Sequence, residues 1–327
     1  MNYIKSSLSI FSVTLTILLS VFFVACGKDS PVEETPVPEP PKQEEPKPDT
    51  KPVAIDAVDL IKTKTTLVKS ITSSETKTLD EGISITNLKY VNSADRKMSI
   101  HIIVADFGYK HVTAQVLNPY NSNEKRFQQL PAIVNANEEV GTKIWAAVNG
   151  DFFSWENMET SGPFIYDGYV RKPNSLGSVR GAFGITRTGL PAFLNPPAGQ
   201  TSVFNYGDNL LRHLVGGREW LIYNGTKITI TDTTVEPRTT IGMRDDKKVI
   251  ALVVDGRQES HSNGMSLVQL QSVYEALGAK FAFNLDGGGS SVAVVRQQNA
   301  PLWDVVNSPS EMPLRAIANG LGFVSTK

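Results

Sequence analysis

Alternating apolar and polar residues run through much of the sequence, and this pattern restricts the fold more than any other feature. It covers ISITNLKYVN (83–92), KMSIHIIVADF (97–107) and VTAQVLN (112–118). Such alternation is typical of antiparallel strands that bury one face. VIALVVDGRQ (249–258) is instead apolar without a break up to its Asp-Gly pair. This run predicts a strand that is buried on both faces.

Only a few helices are predicted between these strands. The clearest covers residues 264–278, where Gly278 stands at the position of a C-terminal cap. Its apolar residues recur at helical spacing and are Leu267, Leu270, Val273, Tyr274 and Leu277. A second helix is predicted over 126–140 with Pro131 in its first turn, and a short one over 54–62. We therefore expect an α+β fold, rich in strands, with mixed or antiparallel sheets.

The N-terminal residues predict export rather than a part of the fold. Lys5 precedes an uncharged apolar run that ends at Ala25-Cys26, and this arrangement resembles a bacterial lipoprotein signal over residues 1–25. A transmembrane anchor is the alternative. Residues 26–53 are rich in Pro, Glu and Lys and predict an extended tether. We expect acylation of Cys26 to anchor the protein to the bacterial cell envelope, with the outer membrane as the expected site.

Composition and charge exclude several classes of function. The 327-residue chain has a formal net charge of -1, so it lacks the overall basic field that attracts nucleic acid. Its single cysteine cannot form an intramolecular disulfide. No phosphate-binding P-loop or G-x-S-x-G nucleophile motif is present. The four histidines lack metal-ligand spacing, and His101, in an alternating strand, is expected on a solvent-exposed face.

Three segments end an apolar run with a polar residue, glycine and a carboxylate, which is where binding and catalytic sites are often built. They are AVNGDFF with Asn149 and Asp151, VVDGRQ with Asp255 and Arg257, and FNLDGGGSS with Asp286, Gly287, Gly288, Gly289, Ser290 and Ser291. Each segment alone could be a simple turn. In the third, the glycines are expected to leave backbone N–H groups bare beside Asp286 for an anionic or hydroxyl-rich ligand.

Further candidates lie close to these segments in the sequence. Arg238, Arg257 and Arg315 offer guanidinium groups suited to phosphate or carboxylate, although ordinary ion pairs are the alternative. His261 follows the second segment and is a candidate for substrate contact. The aromatic residues after Asp151 could offer a face for a sugar ring or belong to the core, and they are Phe152, Phe153 and Trp155.

The ordered motifs resemble the phosphodiester glycosidase family. They are AVNGDFF, GGREWLIYNG, PRTTIG, VVDGRQ, FNLDGGGSS and RAIANGLGF, and they span roughly residues 91–324. The resemblance implies a family domain over 91–327, preceded by a poorly determined element over 54–90. It also implies hydrolysis of a sugar–phosphate bond in a carbohydrate phosphodiester. The residues it places around one pocket are Asn149, Asp151, Arg238, Asp255, Arg257, Asp286 and 287–291.

The chemistry of these residues is compatible with that reaction. A phosphate leaving group carries negative charge, which arginines and N–H donors stabilise, while a carboxylate stabilises positive charge on the sugar. Asp286 is expected at the anomeric carbon or at water, and Arg238 and Arg257 on the phosphate, with Ser290 and Ser291 as further donors. No cofactor is predicted. Two alternatives stay open: a non-catalytic protein that binds glycan or anionic polysaccharide, and a phosphodiesterase with a divalent cation on Asp151, Asp255 and Asp286.

Overall fold

The computed structural model describes residues 56–122, 124–173, 180–194, 205–206, 209–298, 300 and 302–326. The predicted signal, Cys26 and the predicted tether lie outside the described residues. Within the described part, no helix is both long and apolar enough to cross a membrane. Residues 51–327 form a compact unit, and all members of its hydrophobic core clusters lie between Ala57 and Val324. This part of the chain therefore has the cores it needs to fold on its own.

The described residues form three α-helices and nineteen strands. The helices are α1 Ala57–Lys64, α2 Leu130–Asn137 and α3 Leu267–Ala276. The strands are β1 Val68–Asp80, β2 Ile83–Asn92, β3 Lys97–Asp106, β4 Val112–Leu117, β5 Lys143–Asn149, β6 Phe164–Tyr166, β7 Tyr169–Lys172, β8 Ala182–Thr186, β9 Pro191–Leu194, β10 Asn205–Tyr206, β11 Asn209–Gly216, β12 Trp220–Tyr223, β13 Thr226–Lys227, β14 Arg238–Arg244, β15 Lys248–Val254, β16 Ala279–Asn284, β17 Ala293–Arg296, β18 Trp303–Val305 and β19 Gly320–Ser325.

These strands form three sheets, and the pairs that hold them together are antiparallel. The largest has eight strands in the order β1-β2-β3-β15-β14-β16-β12-β13. A five-stranded sheet has the order β18-β17-β5-β19-β4, and a six-stranded sheet runs β7-β6-β11-β8-β9 with β10 beside β11. The predicted α+β class is confirmed, and the antiparallel alternative describes the sheets.

The main hydrophobic core lies where the three sheets face one another. The central strand β15 contributes Val249, Ala251 and Val253 to this core. Its alternate residues, including Leu252, face a second cluster formed with α1 and α3. A third cluster packs α2 against the five-stranded sheet. The prediction that β15 is buried on both faces is confirmed, because every one of its residues is buried.

Helices α2 and α3 fall inside the predicted segments but are shorter, whereas α1 starts three residues later than the predicted segment 54–62 and ends two residues beyond it. Helix α3 begins after a capping box made by Ser266 and Gln269, and Gly278 follows it with φ of +74°. Helix α2 starts one residue before Pro131, as predicted for its first turn. The sequence pattern missed β1, because most of its residues are exposed and leave no apolar alternation. Strands β1 and β2 extend the sheet that contains β3.

The ends of β5 and β15 and the starts of β14 and β19 lie at one edge of the sheets. In the antiparallel registers, Arg238 at the start of β14 lies opposite Val254 at the end of β15. In the neighbouring sheet, Gly320 at the start of β19 lies opposite Asn149 at the end of β5. The N–H of Asp286 donates to the carbonyl of Gly150 at 3.0 Å and joins the two sheets there. The three predicted Asp-Gly segments therefore meet at this edge.

Candidate active site

A cleft of about 260 Å³ opens at this edge of the sheets. It is lined by Phe152, Glu236, Arg238, Arg257, Asp286, Gly287, Gly288, Gly289 and Arg315. Eight of the residues singled out as site candidates line it: Phe152, Arg238, Arg257, Asp286, Gly287, Gly288, Gly289 and Arg315. The other polar candidates do not line the cleft, and they are Asn149, Asp151, Asp255, His261, Ser290 and Ser291. We call this space the catalytic cleft.

Besides Glu236, which is paired with Arg257, the carboxyl group that lines the catalytic cleft is that of Asp286. Burial raises its pKa to about 6, while a hydrogen bond from Ser290, the N–H of Gly287 and the charges of Arg315 and Arg218 oppose this rise. The Gly287 N–H donates to Asp286 Oδ1 at 2.9 Å. The side chain is therefore held by its own loop and is poised to change protonation state near neutral pH.

Asp151 lies buried next to Asp286. Burial raises its pKa to about 7, and the negative charge of Asp286 adds to this rise, while the Gly162 N–H and Arg180 oppose it. The Gly162 N–H donates to Asp151 Oδ2 at 2.5 Å, whereas Oδ1 is buried without a hydrogen-bond partner among the described residues. A side chain at Gly162 or Gly216 would stand only 2.9 Å from Oδ2. Asp151 and Asp286 therefore form a pair of interacting carboxyl groups.

Asn149 is a buried anchor for the loop that carries Asp286. Its Nδ2 donates to the carbonyl of Asp286 at 2.7 Å. Its Oδ1 accepts from Thr239 Oγ1 at 2.7 Å and from the Val292 N–H at 3.2 Å. These bonds tie β5, β14 and the Asp286 loop together, so the amide acts on the site through the backbone.

We expect Asn149→Ala to destabilise the fold by about 3 kcal/mol, because it leaves three buried polar groups without partners. Urea unfolding of residues 51–327 measures this loss. The matched change Asn157→Ala, at an exposed position, should cost less than about 0.5 kcal/mol. Equal stability of the two variants would contradict the anchoring role of Asn149.

Asp255 is also buried, and four donors surround it. Burial would raise its pKa, but His101, His261 and the Ser308 N–H outweigh that effect and hold the pKa below its usual range. His261 Nε2 lies 2.8 Å and His101 Nε2 3.3 Å from Asp255 Oδ2, and Asn307 and Ser308 donate to Oδ1. The expectation that His101 faces solvent is wrong, because β3 is a central strand with both faces covered.

The three candidate arginines differ in how much of each guanidinium is already engaged. Arg238 is buried, and it donates to the carbonyls of Met265 and Thr234. Arg257 is half-exposed and its Nε pairs with Glu236 at 2.6 Å. Arg315 pairs with Glu311 at 2.9 Å and reaches Ser290 Oγ at 3.3 Å. Arg257 and Arg315 therefore retain donors that face the catalytic cleft.

Most N–H groups of the glycine loop are not bare as predicted, and among the described residues only that of Gly289 has no acceptor. The N–H of Gly288 donates to the Pro237 carbonyl at 2.8 Å, and those of Ser290 and Ser291 donate back into the loop. The bonds of Ser290 and Ser291 belong to a 3₁₀ turn over Gly288–Ser290, whereas that of Gly288 leaves the loop. The glycines instead admit arginines, since a side chain on Gly288 would stand 3.3 Å from the Arg257 guanidinium and one on Gly289 would overlap Arg315.

The two serines of the loop have different surroundings. The Ser290 hydroxyl lies between Asp286 and Arg315 and contacts both. The hydroxyl of Ser291 is buried and has no hydrogen-bond partner among the described residues. Ser290 thus joins the carboxyl group to the neighbouring cation, and Ser291 is placed in the core behind the loop.

The aromatic residues after Asp151 separate into two places. Phe152 lines the catalytic cleft, with the guanidinium of Arg218 at 4.0 Å from its ring centroid. Phe153 and Trp155 pack edge-on against each other and against Phe127. The Trp155 side chain is exposed, and Arg315 lies 6.0 Å from its ring. An aromatic surface therefore continues outward from the cleft.

The carboxyl groups do not converge as a metal-ligand set. In the part of the chain that the structure describes, no group of three or more His, Cys, Asp or Glu side chains is arranged to hold a metal ion. Asp255, one of the three predicted ligands, has both oxygens occupied by the histidines, Asn307 and Ser308. The carboxyl groups that remain near the cleft are those of Asp151 and Asp286, together with Glu236, which is paired with Arg257.

Sequence reasoning missed two cationic residues beside the carboxyl pair. Arg180 stabilises the charge of Asp151, and Arg218 that of Asp286. Arg218 follows the Gly-Gly pair of GGREWLIYNG, and its N–H donates to the Asn284 carbonyl at 2.8 Å. That motif could have indicated Arg218. No comparable pattern surrounds Arg180.

Comparisons with solved structures show proteins of similar fold. The structure is similar to the catalytic domain of zebrafish N-acetylglucosamine-1-phosphodiester alpha-N-acetylglucosaminidase, auto-inhibited by its pro-peptide, with a TM-score of 0.56 and 20% identity over 79% of this chain and 86% of that one. It is also similar to a putative exported protein from Burkholderia pseudomallei, with a TM-score of 0.56 and 11% identity over 79% and 97% of the two chains. A hypothetical protein from Synechocystis matches with a TM-score of 0.55 and 14% identity over 77% and 64%.

No curated protein sequence matches the chain significantly. The family model for phosphodiester glycosidases, however, matches residues 142–324, which is more than half of the chain. The matched region runs from β5 to β19 and includes Asp151, Asp286 and Arg315. The chain therefore belongs to the phosphodiester glycosidase family.

Proposed function

We propose that this protein is an exported, membrane-tethered hydrolase that cleaves the bond between a sugar and phosphate in a glycosyl phosphodiester. The observation that carries the proposal is the catalytic cleft, in which the carboxyl group of Asp286 faces Arg257 and Arg315. A carboxylate and guanidinium groups in one cleft match the two charges that develop when this bond breaks.

The leaving group explains why the site needs many cations and few acids. Ordinary glycosidases use one carboxylic acid to protonate a poor leaving oxygen. When the bond between the anomeric carbon and oxygen of a glycosyl phosphodiester breaks, a phosphate monoester leaves as an anion, so donors that bind the phosphate take over that task. In our proposal Arg257 and Arg315 bind the phosphate, and Arg238 forms the wall behind them.

The carboxyl pair acts on the sugar side of the bond. Asp286 as a carboxylate stabilises the positive charge that develops on the ring, and Asp151 retains a proton beside it. Asn149, Asp255 and His261 are positioning residues, because their contacts run to the backbone and to other buried side chains rather than into the cleft.

Attachment to the cell envelope rests on the sequence. The signal over residues 1–25, acylation at Cys26 and the tether over 26–53 stay predictions, as does the division at residue 91. The proposal of export is supported by the similar structure from Burkholderia pseudomallei, which is named as an exported protein. We propose a domain held outside the cytosol on the proline-rich tether predicted over residues 26–53.

The activity is tested with residues 51–327 and the methyl phosphodiester of α-N-acetylglucosamine 1-phosphate. We expect release of free N-acetylglucosamine that EDTA does not reduce. Complete loss of release with EDTA would support a metal-dependent phosphodiesterase instead. Binding of the diester without any release would support a non-catalytic carbohydrate-binding protein.

The phosphate-binding arginines give a separate prediction. Arg315→Ala and Arg257→Ala should each lower kcat by about 10²-fold, because each removes a donor that strengthens as charge develops on the phosphate. Initial rates at saturating substrate measure the effect. Arg187→Ala, at the other end of the sheets, is the matched control and should retain the parent rate. Near-parent turnover of Arg257→Ala would remove that residue from the mechanism.

A further inference from the structure

A second and larger groove lies at the opposite end of the same strands. Its volume is about 580 Å³, and it reaches Thr142 before β5, Lys247 before β15 and Thr326 after β19. The catalytic cleft instead adjoins the end of β15 and the loops after β5 and β16. Seven-residue strands such as β5 and β15 separate the two by roughly 20 Å. We call this space the distal groove.

The distal groove is lined by cations and by no carboxylate among the described residues. Its charged lining residues are Lys110, Arg187, Arg212 and Lys247. Arg212 is paired with Asp167 at 2.8 Å and with Glu139 at 3.4 Å, outside the lining. A chain with a net charge of -1 therefore concentrates positive charge in one concave surface.

Three of these cations form no side-chain hydrogen bond or ion pair among the described residues. Lys110, Arg187 and Lys247 are exposed. They come from three separate turns, which follow β3, β8 and β14. The side chains of Lys110 and Lys247 are therefore available to a ligand, and that of Arg187 acts on a carboxylate only through its charge, which helps to lower the pKa of Asp167.

The remaining lining indicates the class of ligand. Hydroxyl and amide groups come from Thr113, Gln115, Thr142 and Thr188, and a half-buried ring comes from Tyr109. Such a mixture suits the hydroxyl groups and ring faces of sugars. The exposed cations come from three different turns rather than from one loop, which favours several anionic groups on one chain over a single phosphate.

We propose that the distal groove binds an anionic carbohydrate chain that bears carboxylate or phosphate groups. This site is separate from the catalytic cleft and does not depend on the proposed hydrolysis. It gives the protein a second way to hold envelope polysaccharide while the cleft at the other end stays open.

The test compares polygalacturonate, an anionic polysaccharide, with neutral dextran, using residues 51–327 and isothermal titration at two salt concentrations. We expect binding of polygalacturonate that weakens as salt rises, and no binding of dextran. The triple variant Lys110→Ala/Arg187→Ala/Lys247→Ala should lower the affinity by roughly 10-fold or more. The matched triple variant Lys62→Ala/Lys69→Ala/Lys89→Ala removes the same charge elsewhere and should bind as the parent does.

Several results would overturn the proposal. Equal binding by the two triple variants would show that total charge, not the groove, attracts the ligand. Binding of dextran as tight as that of polygalacturonate would remove the role of charge. Equal or tighter binding of single-stranded DNA or of vesicles with anionic lipids would assign the groove to another ligand class. Thermal unfolding of each variant confirms that the fold is intact, and unchanged turnover of the methyl diester confirms that the catalytic cleft is separate.

Discussion

Asp286→Asn should lower the turnover of a glycosyl phosphodiester by about 10²- to 10⁴-fold. Asparagine has nearly the same shape and keeps an oxygen for the Gly287 N–H, but it cannot carry the negative charge that stabilises the sugar ring. The fold should persist, because the change removes a buried charge rather than creating one. The measurement is kcat at pH 6.5, with saturating substrate and residues 51–327.

The matched control for this variant is Asp304→Asn, an exposed carboxylate on β18. It removes the same charge and should leave kcat unchanged. If Asp286→Asn retained more than about a tenth of the parent rate, Asp286 could not be the group that acts on the sugar.

Asp151→Asn should stabilise the protein at pH 8. The pKa of Asp151 rises from 3.8 to about 7 on folding, so between these values the folded state holds a proton that the unfolded state has released. The free energy of unfolding therefore falls as pH increases through this window. The full penalty, present above pH 7, is on the order of 4 kcal/mol, at about 1.4 kcal/mol per pKa unit.

Urea unfolding at two pH values separates this effect from ordinary packing changes. At pH 8 the variant should be more stable than the parent by several kcal/mol, and at pH 4 the two should be nearly equal. Lower stability of the variant at pH 8 would contradict the buried, unfavourable charge on Asp151.

The same variant should also change the pH dependence of the rate. Burial raises the pKa of Asp286 to about 6 and that of Asp151 to about 7, so the form of the pair with a single negative charge is most abundant between these values. Above this range a second carboxylate repels the phosphate, and the rate should fall. Asp151→Asn cannot acquire that charge and should keep its rate to higher pH. An unchanged alkaline limb would remove Asp151 from the titrating pair.

Strands of the eight-stranded sheet could be predicted where their apolar residues coincide with the buried positions. Strand β2 matches the predicted segment 83–92, since its inward residues are apolar and its outward ones polar. Strand β1 could not be found in this way. It lies at the edge of the sheet and most of its thirteen residues are exposed, so its pairing with β2 is not encoded by hydrophobic periodicity.

The site was predictable only as a set of loops. The sequence placed Asp286 and Arg257 at strand ends, and the fold brings them to one cleft. It could not show that Asp255 is occupied by two histidines, because His101 comes from a strand 154 residues away. Nor could it show that most N–H groups of the glycine loop already donate to other groups of the protein, since this depends on the 3₁₀ turn and on the Pro237 carbonyl.

The most direct test of the account is hydrolysis of the methyl phosphodiester of α-N-acetylglucosamine 1-phosphate in water enriched in ¹⁸O. Mass spectrometry of the two products shows which bond is broken. We predict that the label enters the sugar, because Asp286 and the arginines direct cleavage to the bond between the anomeric carbon and oxygen. Label in the phosphate would mean that water attacks phosphorus, and it would contradict a glycosidase mechanism at this site.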